Sequence, residues 1–216
     1  MKVYAVVVGA VGSLLISANG FAGVTELVTN GSFESPVVNP FQQFPSGISG
    51  WTGSAGVEVQ ANGSLGAGQN TPFGNQYAEL AVEGPSTYSQ TIATVPGQQY
   101  DFSFYLAARP GTGPNTVSVA FTGNPSATFT AADTPTVNFQ RFTDTFTATA
   151  AQSTLSLSLV TPTSGGGGGL VDNVSLSTGS GSPATAVPLP AAFWSGLSGL
   201  LGIVAVGFGR RALSPG

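Results

Sequence analysis

Between Gly23 and Leu176, apolar and polar residues alternate with a period of two, not 3.6. The segment 99–106, QYDFSFYL, sets Tyr100, Phe102, Phe104 and Leu106 on one face and Gln99, Asp101, Ser103 and Tyr105 on the other. Segments 116–121 and 154–159 alternate in the same way, and 57–60, 76–81, 88–95 and 142–147 are shorter candidates. Asn62-Gly63, Pro96-Gly97, Pro110-Gly111 and Gly123-Asn124-Pro125 separate them as turn signals. No stretch of this body reads as a helix of useful length. Many short, half-buried strands at this spacing predict an all-β, antiparallel β-sandwich of the jelly-roll type over residues 23–176. A body of about 155 residues is long enough to bury a sizeable core. The glycine run 165–169 joins two strands, with no helix or lysine after it, and is expected to be a flexible surface loop, not a phosphate loop.

Both ends break the alternation. Residues 1–22 carry one cation, Lys2, then an apolar run from Val3 to about Ile16, then Gly20 and Ala22 ahead of Gly23. That order is the pattern of a secretory signal peptide. Residues 177–186 are rich in Ser, Gly, Thr and Pro and read as a linker. The segment 189–208 is uncharged and, at roughly 20 residues, matches a membrane-spanning helix. Arg210 and Arg211 follow it and would stay on the cytoplasmic side as a membrane stop, leaving 212–216 as a short tail. Pro188 and Pro190 hold the stretch before the span extended. An extended strand suits a processing enzyme's active site, and a plain anchor would not need one.

Composition narrows the chemistry. The chain has 216 residues with no Cys and no His, which excludes disulfides, thiolate metal sites and a cysteine nucleophile. It also removes the commonest general base at neutral pH. Within the body, nine Asp and Glu face only Arg109 and Arg141, so no basic stripe exists for a nucleic-acid partner. Glu58, Glu79 and Glu83 supply the atoms of a glycosidase pair but sit in no diagnostic context. Serine and threonine are plentiful without a base to activate them. The expectation is that the protein is not an enzyme.

The order Val187-Pro188-Leu189-Pro190-Ala191, apolar span and arginine pair resembles the PEP-CTERM sorting tail in its VPLPA variant. The resemblance covers 187–211 and implies processing by an exosortase, after a transient stay in the inner membrane, in a Gram-negative bacterium that makes exopolysaccharide. The body carries a second resemblance. Leu27-Val28-Thr29-Asn30-Gly31-Ser32-Phe33-Glu34, then Gly50-Trp51, Gly74-Asn75-Gln76-Tyr77-Ala78-Glu79-Leu80, Tyr88-Ser89-Gln90-Thr91-Ile92, Val95-Pro96-Gly97 and Leu170-Val171-Asp172-Asn173-Val174 follow in the order seen in bacterial choice-of-anchor C domains. Those are similar to a plant cell-wall family with galactose-binding-like jelly rolls.

That resemblance implies candidate sites. Many carbohydrate-binding jelly rolls hold a structural Ca²⁺ with an N-terminal Glu and a late Asp, which here fall on Glu34 and Asp172; oxygen ligands are what that ion requires. Asp172 shares strand parity with Leu170, Val174 and Leu176, so a regular strand would turn it inward. Each carboxylate could instead accept backbone N–H bonds. Trp51 could stack on a sugar ring or sit in the core. Tyr105, facing away from Phe102 and Phe104, is the better platform, with Tyr77, Tyr88 and Arg109 as further glycan contacts. The expected function is an exported, sorted surface or matrix protein that binds polysaccharide or associates with exopolysaccharide and biofilm without catalysis. A purely structural, self-associating surface protein and a polysaccharide-modifying enzyme are the alternatives.

Overall fold

The computed structural model describes residues 25–162 and 167–178. The signal peptide, the sorting motif Val187–Ala191, the apolar span and Arg210 and Arg211 lie outside them. Eleven strands are formed, and no helix occurs among the described residues. They are β1 (Phe41–Phe44), β2 (Thr52–Gly53), β3 (Val57–Ala61), β4 (Gln76–Glu79), β5 (Thr87–Ala93), β6 (Gln99–Ala107), β7 (Asn115–Phe121), β8 (Ala127–Ala131), β9 (Gln140–Thr147), β10 (Gln152–Thr161) and β11 (Leu170–Thr178). One sheet has the order β1-β3-β4-β11-β6-β9 and the other β2-β5-β10-β7-β8. Every pairing between named strands is antiparallel, so the predicted sandwich is formed.

The alternation builds the core. Tyr100, Phe102, Phe104 and Leu106 of β6 turn inward against Val117, Val119 and Phe121 of β7 and Leu155 and Leu157 of β10, all buried. Phe121 stacks on Phe146 with ring centroids 5.0 Å apart and planes within 7°. Each such side chain contributes about 1.5–3 kcal/mol by leaving water.

On β3 and β4 the two-sided pattern fails: nearly every residue is buried, whichever way it points. The outer face of the six-stranded sheet is therefore covered at its centre. Tyr77, Ala107 and Leu170 form a second apolar cluster there, closed by Leu65 and by Val137 and Phe139. The outer face of the five-stranded sheet is instead left to hydroxyls. Thr52 meets Ser89 at 3.0 Å, Thr87 meets Ser158 at 2.8 Å and Thr116 meets Thr130 at 2.8 Å.

Three expectations need correction. The first concerns β11, which carries a bulge: Asp172 lies opposite Tyr105 and Ser175 opposite Ser103, so two residues oppose one. Asn173 absorbs the turn with φ at 46°. The bulge resets parity, so Val171, Val174 and Leu176 enter the core while Leu170 and Asp172 point to the outer face. Secondly, β11 continues to Thr178, with Ser177 opposite Asp101 and Thr178 opposite Tyr100, two residues past the expected end of the sandwich. Finally, the described part of the glycine run, Gly167 to Gly169, is buried and is no free loop. A Cβ on Gly169 would lie 2.8 Å from Leu159 Cδ1 and one on Gly168 2.7 Å from Pro162 Cδ. Glycine is needed there because the backbone packs directly onto side chains.

Candidate glycan-binding site

Register places the polar groups of the outer face. Pairing of β1 with β3 sets Phe41 opposite Gln60 and Gln43 opposite Glu58. Pairing of β3 with β4 sets Glu58 opposite Glu79 and Gln60 opposite Tyr77. Arg109, just beyond β6, and Ser64 and Leu65, after β3, complete a pocket of about 240 Å³ together with Val82. Phe41, 53% exposed, stands at its side.

One hydrogen-bond network fixes these walls. Gln60 Nε2 donates to Glu58 Oε1 at 2.7 Å and also to Glu79 Oε2. Gln43 Nε2 donates to Glu58 Oε2 at 2.8 Å and to the Val82 carbonyl at 2.9 Å. Arg109 Nη1 donates to both oxygens of Glu79, at 2.9 and 3.0 Å, and the Gly168 N–H donates to Oε1 at 2.6 Å. From the core side the Tyr88 hydroxyl accepts from Glu58 N at 2.7 Å and donates to the Glu79 carbonyl. Burial pushes the Glu79 carboxyl up to about 7, against the pull of Arg109 and Gly168 and with some help from Glu58.

Glu79 is fully buried and does not line the pocket, whereas Glu58, 5% exposed, does. Glu83 is exposed and takes no part in the pocket.

Of the expected glycan contacts, only Arg109 lines this pocket. Trp51, Tyr77 and Tyr88 are corrections, being at most 1% exposed. Trp51 stacks on Phe33 with centroids 5.5 Å apart and donates Nε1–H to the Asn30 carbonyl at 3.1 Å, which makes it a core residue. Tyr77 packs edge-on against Phe139, and burial raises its phenol above the usual value. Tyr88 is spent between β3 and β4, and burial raises its phenol likewise. Tyr105 does face outward but is half-buried, with its ring against Phe73 at 3.9 Å.

Sequence reading missed Phe41, Gln43, Gln60 and Ser64. The available signal was the alternation of Glu58 and Gln60 with Val57 and Val59: large polar side chains facing away from the core on a strand that the rest of the fold then covers.

A larger open hollow of about 480 Å³ lies across β11, β6 and β9, lined by Asp101, Ser103, Arg141, Thr143 and neighbouring hydroxyls. Its one aromatic, Phe102, is 1% exposed and offers no face to a ring.

Glu34 and Asp172 both accept backbone N–H bonds. Glu34 Oε1 accepts from Asn75 N at 2.8 Å and Gln76 N at 3.0 Å. Asp172 is fully buried, accepts from Asn173 N at 2.6 Å and from the Thr71 hydroxyl, and lies near enough for Glu34's charge to disfavour its own. Burial, the larger cause, pushes Asp172 up to about 7. Carboxylate and hydroxyl oxygens are the kind of donor a hard cation takes. Among the described residues, no group of three ionisable side chains stands ready for a metal.

No protein family matches this chain, and no curated protein matches it. Solved structures do. A family 61 carbohydrate-binding module in complex with β-1,4-galactotriose is 16% identical, covering 72% of this chain and 99% of its own, with a TM-score of 0.46. A family 4 carbohydrate-binding module is 21% identical, over 70% of this chain and 99% of its own, at 0.42. The xylan-binding family 22 module of Paenibacillus barcinonensis Xyn10C is 14% identical, over 64% and 92%, at 0.44. At such identities and TM-scores, what this chain binds has to be taken from its own residues.

Proposed function

We propose that this chain is an exported surface or matrix protein whose sandwich holds a polysaccharide without transforming it. The observation that carries the reading is Phe41, exposed beside a pocket walled by amides and carboxylates that fix one another. A pyranose ring has an apolar C–H face and a rim of hydroxyls. An aromatic face next to a few immobilised polar groups is its complement.

The reading extends to the ends of the chain. Residues 1–22 would direct export, an exosortase would act at Val187–Ala191, and Arg210 and Arg211 would hold the span during its stay in the inner membrane. The mature protein would then reside at the cell surface or in the exopolysaccharide matrix of a Gram-negative bacterium. Glu34 and Asp172, with the Thr71 hydroxyl beside them, would hold a structural Ca²⁺ that joins the opening segment to β11.

The test is affinity electrophoresis of the full chain through gels containing neutral, amino-sugar or acidic polysaccharides. At least one should retard the protein. Phe41→Ala should weaken that retardation about tenfold, the scale of one aromatic contact of roughly 1.4 kcal/mol. Retardation by none of them, or retardation unchanged in Phe41→Ala, would sink the assignment of this pocket.

A further inference from the structure

We infer that the pocket beside Phe41 selects an amino sugar, a glycan unit bearing a free protonated amine. This rests on the glycan-binding reading above and concerns the chemistry that site accepts.

The argument is a donor and acceptor inventory. A glutamine amide nitrogen carries two hydrogens. Gln43 commits both, to Glu58 and Val82, and Gln60 commits both, to Glu58 and Glu79. The single hydrogen of Ser64 goes to Gln60 Oε1 at 2.7 Å. Arg109 turns Nη1 to Glu79. These amide orientations are not arbitrary, since flipping either glutamine would set its carbonyl oxygen against a carboxylate.

Arg109 Nε and Nη2 aside, what the walls have left is lone pairs. Glu79 already accepts four hydrogen bonds, about the capacity of a carboxylate. Glu58 accepts two, from Gln43 and Gln60, and so keeps about half its capacity. It is also the carboxylate that Arg109 does not pair with, because the ion pair here is Arg109 with Glu79.

Each class of sugar meets these walls differently. A uronate or sulfate can only accept, and it would bring its own negative charge against Glu58. A neutral hydroxyl can donate one hydrogen. An ammonium donates three and carries the opposite charge to a carboxylate that is 5% exposed, where water screens little. Phe41 adds an aromatic face that attracts a cation as well as a C–H surface. The wider field agrees: the body holds nine acids against Arg109 and Arg141.

The experiment is isothermal titration of the full chain at pH 7 with a β-1,4-linked glucosamine oligomer, its fully N-acetylated counterpart and an oligogalacturonate of equal length. The amino oligomer should bind about tenfold tighter than the acetylated one, lose affinity as salt is raised and far outbind the uronate. Glu58→Gln should remove that preference, and because its new amide can accept from only one of Gln43 and Gln60, its melting temperature is read alongside. Should Glu58→Gln fail to fold, the salt and acetylation dependence of the unaltered chain decide the matter. Equal or tighter binding of the acetylated or acidic oligomer, or a preference that survives Glu58→Gln, overturns the inference and leaves glycan binding standing. Failure of every glycan to bind overturns both.

Discussion

Glu79 shows how much one residue's surroundings decide. Four hydrogen bonds and an arginine favour its anion, yet removal from water outweighs them and holds its carboxyl near 7. The folded state thus keeps a proton that the unfolded chain releases from about 4.5 upward. Stability from this group is complete below that value and is lost as pH rises toward 7, by an amount on the order of 3 kcal/mol. Asp172, raised for the same reason, adds to the slope. Urea midpoints at pH 5 and pH 7.5 should therefore fall with pH, and Glu79→Gln should flatten part of that fall; an identical fall in the variant would show that Glu79 titrates normally. Trp51 illustrates the opposite limit. A tryptophan after a glycine is equally compatible with a sugar platform and a core, and only its burial against Phe33 separates them. Trp51→Ala should cost about 3–5 kcal/mol of stability, which a denaturation curve would read directly.

At the scale of elements, β11 carries the most consequence. Read as a regular strand it points Asp172 into the core, where a carboxylate would lie among phenylalanines. The bulge at Asn173 turns it to the other face, toward Thr71 and Glu34. No local pattern announces a bulge, because the extra residue is defined only by the strand opposite. The Ca²⁺ proposal belongs here, since the ion would tie the opening segment to this bulge. Added Ca²⁺ should raise the melting temperature of the full chain, a chelator should reverse the rise, and Glu34→Gln should abolish it. A melting temperature indifferent to both reagents would remove the ion. The glycine run shows the same dependence: its sequence reads as flexible, but Gly168 donates to Glu79 and Gly169 donates to Asn115 at 2.6 Å.

For the whole molecule, the two outer sheet faces have different roles. The five-stranded sheet presents hydroxyls, and the six-stranded one is covered at its centre by loops that leave a pocket at one side. The free edge at β9 is guarded against another chain. Asn124 Oδ1 accepts from Thr147 N at 3.0 Å while its Nδ2 donates to Thr147 O at 2.8 Å, and Asp144 accepts from Thr145 N at 2.8 Å. Groups so occupied offer little to a second chain, which weighs against self-association through that edge. The proposed export and processing are also properties of the whole chain. Intact mass of the protein purified from its producing cells should place the C-terminus within or just before Val187–Ala191. A mass that retains Ala192 to Gly216 would make the tail a permanent anchor.

By itself the sequence determined which residues face the core on the regularly alternating strands β6, β7 and β10, because side chains on extended backbone alternate whatever surrounds them. From that came the sandwich and most of its strands; β1, β2 and β8 were not among them. Only the tertiary structure decided what covers each outer face and which residues meet there. Gln43, Glu58, Glu79, Arg109 and Gly168 come from five separate segments, and no local periodicity encodes a meeting between them. Burial of Tyr77 and Tyr88 was decided in the same way, by loops and a facing sheet far off in the chain, since exposure belongs to the assembled fold and not to the strand.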